Sequence, residues 1–274
     1  MKIYAIMLVK NEVDIVGYVL KDAEKWADKI FILDNGSTDG TWELLQSMKN
    51  NIITPWKQYF GDYHNGLRAD VYNEFKNISK PGDWWCFKLD ADEIYAENPK
   101  EFLAKIPKYY QVICKKSIDY NITEEDISKY NFSGKFEDDI NIIKYFNKVC
   151  WAEPRFFRYR KNLKWTNTWN SHYPPHAGAI SKKTILVRHY NQRNPVQIKA
   201  RFESRNATKV RKEGIAWRWN FDNWKQLLGK KENLIYDDGN LEKIKKLPTN
   251  FGKLNVNPVK NFIKTCLVFL HLYK

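Results

Sequence analysis

Long apolar runs are missing from this chain. No stretch of its 274 residues approaches the roughly 20 consecutive apolar residues that a membrane span requires. Cysteine is scarce: Cys86, Cys114, Cys150 and Cys266 are the four. No pair of them has the spacing of metal ligands or of a redox couple. They read as buried thiols in a reducing compartment. The opening stretch MKIYAIMLVKNE carries only a short apolar run and no small-residue cleavage site, so it reads as a strand and not as a signal peptide. There is no internal repeat, no low-complexity tract and no obvious linker.

What is present is enough for a large folded core. Hydrophobic residues make up 43% and aromatics 15%, the composition of a globular protein. Eleven Trp and sixteen Tyr suit a protein that grips ring-shaped ligands, although packing is the first expectation for any single one. The formal net charge is +14, unevenly spread. Residues 1–110 carry 14 basic and 17 acidic side chains, a net −3; residues 111–190 carry +6 and residues 191–274 carry +11. The C-terminal end is therefore the part suited to meet an anionic partner.

Periodicity sets out an alternating pattern. KIYAIMLV (2–9) is a buried strand. Asn11 stands where a helix cap would, and Ile15, Val16, Val19, Leu20, Ala23 and Trp26 follow at helical spacing, predicting a helix over 12–27. KIFIL (29–33) is a second strand, DNGSTDGT (34–41) a turn-rich loop, and TWELLQSM the start of another helix. A third strand is expected near 52–56, a helix over 65–78 with Arg68 in its first turn, and a fourth strand at WWCFKL, 84–89. Strand, helix, strand, helix implies a parallel sheet with right-handed crossovers, and ligands bind at the carboxyl ends of such strands. Beyond 110 the pattern loosens: QVICKKS, PRFFRY and KTILVRHY read as strands, 120–150 as irregular, and the chain from Pro195 as mainly helical and basic. The expected division is a catalytic domain over 1–190, with a nucleotide-binding half (1–110) and an acceptor-side half (111–190), followed by a basic helical extension over 191–274.

The stretch WWCFKLDADEIY (84–95) poses a physical question. Six largely apolar residues lead into Asp90, Asp92 and Glu93, and such a cluster repels itself unless a cation, basic neighbours or open water relieve it. Asp-Xaa-Asp at a strand end suits Mg²⁺ or Mn²⁺, whose remaining positions take phosphate oxygens; a solvated acidic turn is the alternative.

Three stretches taken together, MLVKNE, ILDNGSTDGT and WWCFKLDADEIY, resemble family 2 glycosyltransferases of the GT-A fold. VRHYNQRNPVQIKARFESR (187–205) resembles the tail of bacterial members. The resemblance implies an α/β fold: a Rossmann-like, mostly parallel sheet flanked by helices, with the basic helical extension appended. It also implies roles. Asp34 would accept a hydrogen bond from the nucleotide base, most often uracil; Asn35 lies in the same loop, and Asp39 would shape that pocket. Asn11 and Glu12 would lie near the nucleoside. Asp90 would face the ribose or the metal's water shell, Asp92 would ligate the metal, and His189 would complete the metal or diphosphate site. Arg68 would contact a donor phosphate or hold Asp90. The chain departs from many members in lacking the Glu-Asp pair that supplies their catalytic base.

In such an enzyme a sugar leaves a nucleoside diphosphate, a metal neutralises the leaving group, and a base deprotonates the acceptor hydroxyl. The candidates for that base are His172, in TWNSHYPPH among Trp165, Trp169 and Tyr173 as in an acceptor site that stacks on a sugar ring, and then Glu153; Asp138 and Asp139 come after them. His172 reads equally well as an ordinary loop histidine, and His189 as a satisfied structural one. The implied reaction is inverting transfer from a UDP-sugar to a surface glycan: lipopolysaccharide, capsule or a lipid-linked oligosaccharide. The implied setting is cytoplasmic, peripheral on the inner face of the membrane, with no nucleic acid as partner. Two other classes stay open. A sugar-1-phosphate nucleotidyltransferase would need a Gly-rich, basic signature near the N-terminus, and MLVKNEVDIVG has none. The intact Asp90-Ala91-Asp92 argues against a non-catalytic binder of sugar nucleotide; against a nucleic-acid binder, no recognised binding motif appears and the basic excess avoids the motif-bearing half. The C-terminal NPVKNFIKTCLVFLHLYK sets Val259, Phe262, Ile263, Cys266, Leu267 and Leu270 on one helical face beside Lys260 and Lys264. It reads either as an interfacial helix on anionic lipid or as a terminal helix docked on the core.

Overall fold

A computed structural model describes residues 1–175, 177–207, 222–252, 254, 257–270 and 272. The elements in chain order are β1 (Ile3–Val9), α1 (Val16–Ala23), β2 (Lys29–Asp34), α2 (Thr41–Ser47), β3 (Ile53–Gln58), α3 (Leu67–Phe75), β4 (Trp84–Cys86), β5 (Glu93–Tyr95) and α4 (Pro99–Ala104). They continue with β6 (Val112–Asn121), α5 (Glu124–Lys129), α6 (Phe136–Asp139), β7 (Tyr145–Asn147), β8 (Cys150–Arg158), β9 (Ile180–His189), α7 (Pro195–Ala207), β10 (Leu234–Tyr236), α8 (Leu241–Lys245), β11 (Thr249–Asn250) and α9 (Pro258–Phe269). No helix among the described residues is long and apolar enough to cross a membrane.

The chain forms two compact units, each discontinuous in sequence. The first is Met1–Ser117, Trp151–Val187 and Thr249–Lys274. Its sheet centres on β1, which pairs in parallel with β2 on one side and β4 on the other; β3 continues beyond β2, also in parallel. β8 runs antiparallel to both β4 and β6. All seven residues of β1 are buried, as a central parallel strand covered on both faces requires. On one face the core is aromatic: Trp85 lies 5.2 Å from both Tyr4 and Tyr72 between ring centroids, and Phe31, Phe87, Phe157 and Trp165 join them. α1 buries Val16, Val19, Leu20 and Ala23, and each of the three larger side chains contributes about 1.5–3 kcal/mol relative to exposure.

Several boundaries differ from the sequence expectation. α1 begins at Val16, four residues after the predicted start, because Asn11 takes φ 54°, a left-handed turn and not a helix cap. The β4 ladder stops at Cys86, but Phe87 N–H still donates to Arg155 O and Leu89 N–H to Ile6 O. The chain therefore stays tethered to its neighbours up to Asp90. The second unit is Ile118–Cys150 and Arg188–Pro248. Its residues 120–150, expected to be irregular, hold α5, α6 and β7, with β10 pairing antiparallel to β7. A reciprocal Thr123–Asp126 capping box starts α5. The described part of 191–274 contains β10 and β11 as well as helices.

Candidate active site

Because β2 and β4 flank β1 in parallel, their carboxyl ends leave the same edge of the sheet. Asp34 is fully buried at the end of β2. Its carboxylate accepts from Ser37 N–H at 2.9 Å, from the Ser37 hydroxyl at 2.5 Å and from Gln58 Nε2 at 3.2 Å. The loop that follows folds back on β1. Thr38 N–H donates to Asn11 Oδ1, and Asn11 N–H donates to Ser37 Oγ. Asp39 accepts from Val13 N–H and from both the amide and the hydroxyl of Thr41. Glu12 N–H donates to the Thr41 hydroxyl. Asn35 donates to the carbonyls of Tyr59 and Gly61, while its buried Oδ1 has no partner among the described residues. Gly36 turns the loop at φ +68°, where an added Cβ would lie 3.0 Å from the Phe60 ring. The structure thus brings Asn11, Glu12, Asp34, Asn35 and Asp39 into one hydrogen-bonded loop system.

The acidic stretch after β4 meets basic neighbours. Asp90 lies 3.5 Å from Arg68, 3.4 Å from Lys88 and 3.1 Å from Arg155. Glu93 is buried and pairs with Lys115 and with Arg155, the latter at 2.7 Å. Glu153 faces Lys88 at 3.3 Å, Lys115 at 3.2 Å and Arg155 at 2.8 Å. One nitrogen of the fully buried Arg155, Nη2, serves all three carboxylates. β8 supplies Glu153 and Arg155, the latter at a register irregularity where Ile113 and Cys114 of β6 face Phe156 and Pro154, and Lys115 of β6 stands opposite Glu153. Burial works against ionisation of Asp90 and Glu153, but the surrounding cations outweigh it and hold both carboxyls below their usual range. Lys88, Arg155, Arg68 and Lys115 do this for Asp90, and Arg155, Lys115 and Lys88 for Glu153. Such a carboxylate is a weak proton acceptor, which counts against Glu153 as a base.

Oxygens of Asp90, Glu93 and Glu153 lie within 4.8 Å of one another, a hard donor set of the kind that suits Mg²⁺ or Mn²⁺. Glu93 is committed to Lys115 and Arg155. Asp90 and Glu153 keep 23% and 41% of their side chains exposed, and Lys88 is the partly exposed cation beside both. Asp90 and Glu153 also hold Arg155, so a cation would fit on their exposed side, in competition with Lys88. Asp92 is buried and outside this grouping. His189 belongs to the second unit, where its Nδ1 lies 2.8 Å from Asp119. Sequence reasoning named Asp90 and Glu153 but missed Lys88, Lys115 and Arg155. The available signal was charge at alternate positions, Glu153 with Arg155, inside an otherwise apolar strand.

His172 lines a cavity of about 560 Å³ together with Thr166, Asn170, Ser171, Tyr173 and Lys264. The loop carrying it is tied to α3 and the turn before it. Asn73 donates to Trp165 O, Asn167 donates to Asp70, and His64 stacks on Trp169 at 5.0 Å. Gly66 is required there, since a Cβ would sit 2.3 Å from Asn167 Oδ1 and Thr168 O. Burial and the charges of Lys88 and Arg68 push the His172 pKa down, so its neutral form is favoured. The sugar-stacking role expected of its aromatic neighbours is not what the packing shows. Trp165 is buried in the core, and Tyr173 packs against Phe87 at 5.8 Å. His176 lies outside the described residues.

The sequence signature of Glycosyl transferase family 2 matches residues 4–185. The chain belongs to glycosyltransferase family 2. Its α/β sheet with helices on both faces is that family's GT-A fold. Lipopolysaccharide core biosynthesis glycosyltransferase LpsC of Rhizobium meliloti is 32% identical over 108 residues, 37% of this chain and 36% of LpsC. Uncharacterized glycosyltransferase MG060 of Mycoplasma genitalium is 26% identical over 136 residues, 50% of this chain and 38% of MG060. The chain thus spans a little over a third of the length of these curated relatives. Among solved structures, S. aureus TarS 1-349 matches with 12% identity and a TM-score of 0.37, over 77% of this chain and 67% of that one. TarS 1-349 in complex with UDP matches with 14% identity and a TM-score of 0.32, over 45% and 36%.

Proposed function

We propose that this family 2 glycosyltransferase moves a sugar from a UDP-sugar to a hydroxyl of a surface-glycan acceptor, with inversion. The observation that carries the reading is the common sheet edge: a hydrogen-bonding loop at Asp34 and a charged cluster at Asp90, on a chain whose residues 4–185 carry the family signature. The base of the donor would exchange hydrogen bonds with Asp34, in the loop shaped by Asn11, Glu12, Asn35 and Asp39. Asp90 and Glu153 would hold Mn²⁺ or Mg²⁺. Such an ion supplies charge neutralisation for a departing diphosphate. Arg68 and Lys88 bring positive charge to the same place in their own right.

His172 is the proposed base. The acceptor oxygen bonds to the anomeric carbon while the bond from that carbon to the phosphate oxygen breaks; the nucleoside diphosphate leaves with the electron pair, and His172 takes the hydroxyl proton. Its lowered pKa and its place on the cavity wall support this assignment over Glu153, whose carboxylate is paired with three cations. The acceptor class is lipopolysaccharide, capsule or a lipid-linked oligosaccharide. Such acceptors sit on a membrane, and the basic C-terminal helices are the part of the chain suited to touch its cytoplasmic face.

A pH profile of turnover with a UDP-sugar tests the base. The neutral imidazole is the active form, so activity falls on the acid side with a midpoint below the ordinary histidine value of about 6.5. His172→Ala lowers kcat about 10²- to 10⁴-fold, removes that limb and leaves UDP affinity unchanged. A variant that loses UDP binding while keeping its maximal rate overturns the assignment, and a wild-type protein that binds no UDP with or without Mn²⁺ overturns the donor reading.

A further inference from the structure

α9 is clasped to its unit by a polar side chain, half-buries Cys266, Leu267 and Val268, and turns a second set of apolar groups outward. The Asn261 side chain clasps one residue of β9: Nδ2 donates to Ile180 O at 2.9 Å, and Oδ1 accepts from Ile180 N–H at 3.2 Å. Lys264, one turn on, lines the cavity that holds His172. Val259, Phe262, Ile263, Phe269 and Leu270 recur at spacings of three, four and seven, one face of a helix, and all are exposed, Phe262 by 68% and Phe269 by 60%. No residue of α9 is buried. A surface helix ordinarily keeps its apolar stripe against the core; here an apolar row faces outward as well. Exposed contiguous apolar surface of this kind marks a surface that something covers.

We propose that α9 lies flat on an anionic lipid bilayer, with its outward row in the boundary between headgroups and acyl chains. A helix of 12 residues is about 18 Å long, well short of the roughly 30 Å hydrocarbon core, so it lies in the interface and does not cross it. Charge selects the covering surface. Residues 257–274 contain no Asp or Glu, and Lys260 is exposed on the flank of the apolar row. Basic side chains beside an apolar face are drawn to anionic headgroups. A second copy of the chain would instead set two basic faces against each other. The proposal deepens the acceptor reading above by placing the acceptor in a membrane, and rests on that reading for the acceptor alone.

Flotation with vesicles tests it, using phosphatidylcholine alone against equal parts phosphatidylcholine and phosphatidylglycerol. The wild-type chain floats with the anionic vesicles, stays in the dense fraction with the zwitterionic ones, and loses binding as salt rises. The double variant F262S/F269S keeps its circular dichroism spectrum and loses about tenfold or more of its vesicle affinity. UDP titration of the same preparations reads the donor site separately, so a failure of the lipid reading is distinguishable from a failure of the donor reading. Wild-type protein that floats with neither vesicle, a double variant that floats as well as wild type, or light scattering that shows a wild-type dimer turned monomeric by F262S/F269S would each overturn the proposal.

Discussion

Asp34 and Asp90 leave the same edge of one sheet on either side of β1, yet they are neutralised in opposite ways. Asp34 is satisfied by an amide, a hydroxyl and a carboxamide, none of them charged. Asp90 is satisfied by Arg68, Lys88 and Arg155. Neutral donors can be traded for those of a ligand at modest net cost, since one hydrogen bond replaces another. Cations hold their partner by charge, and their own charge stays available to an incoming phosphate. Under the proposed function the two strand ends would take different parts of a nucleotide: a polar, uncharged base at one and a diphosphate at the other.

The largest expected effect comes from removing the shared cation. Arg155→Ala leaves Asp90, Glu93 and Glu153 with Arg68, Lys88 and Lys115, and the buried Glu93 with Lys115 alone. We expect a loss of about 3–5 kcal/mol of stability, read from the urea midpoint, whereas an unchanged midpoint would mean that the cluster does not need its central guanidinium. Next come the two aspartates themselves. Asp90→Ala lowers turnover about 10²-fold with the circular dichroism spectrum retained, and chelation by EDTA followed by Mn²⁺ restores activity to the wild type alone. Asp34→Ala instead weakens UDP binding and leaves kcat near its wild-type value. If both substitutions act on the same kinetic constant, the division of labour between the two strand ends is wrong. The smallest effect is expected at Asp39, whose carboxylate only ties the loop to Val13 and Thr41; Asp39→Ala costs about 1 kcal/mol, measured as a shift in thermal midpoint.

Much of the first unit was legible in the sequence, because short-range rules govern it. KIYAIMLV and KIFIL became β1 and β2, since buried parallel strands are written as continuous apolar runs, and the strand expected near 52–56 became β3 (Ile53–Gln58), half-buried beside β2. The start of α1 was misplaced because Asn11 adopts the left-handed conformation that Asn tolerates, and its side chain serves the 34–41 loop, not the helix. Trp165, read as a candidate sugar platform, is core, because its position against α3 depends on contacts 92 residues apart in the chain. α9 was read correctly as amphipathic, but the sequence could not say which face would be attached.

Composition and periodicity alone determined an alternating α/β domain, an acidic turn at a strand end and a basic C-terminal region, since each is a property of neighbouring residues. Only the tertiary structure decided what relieves the acidic turn. Arg155 and Lys115 lie far along the chain from Asp90 and arrive through the antiparallel pairing of β8 with β4 and β6. Charge compensation acts through space over a few ångströms, and no local pattern encodes which distant strand will supply it.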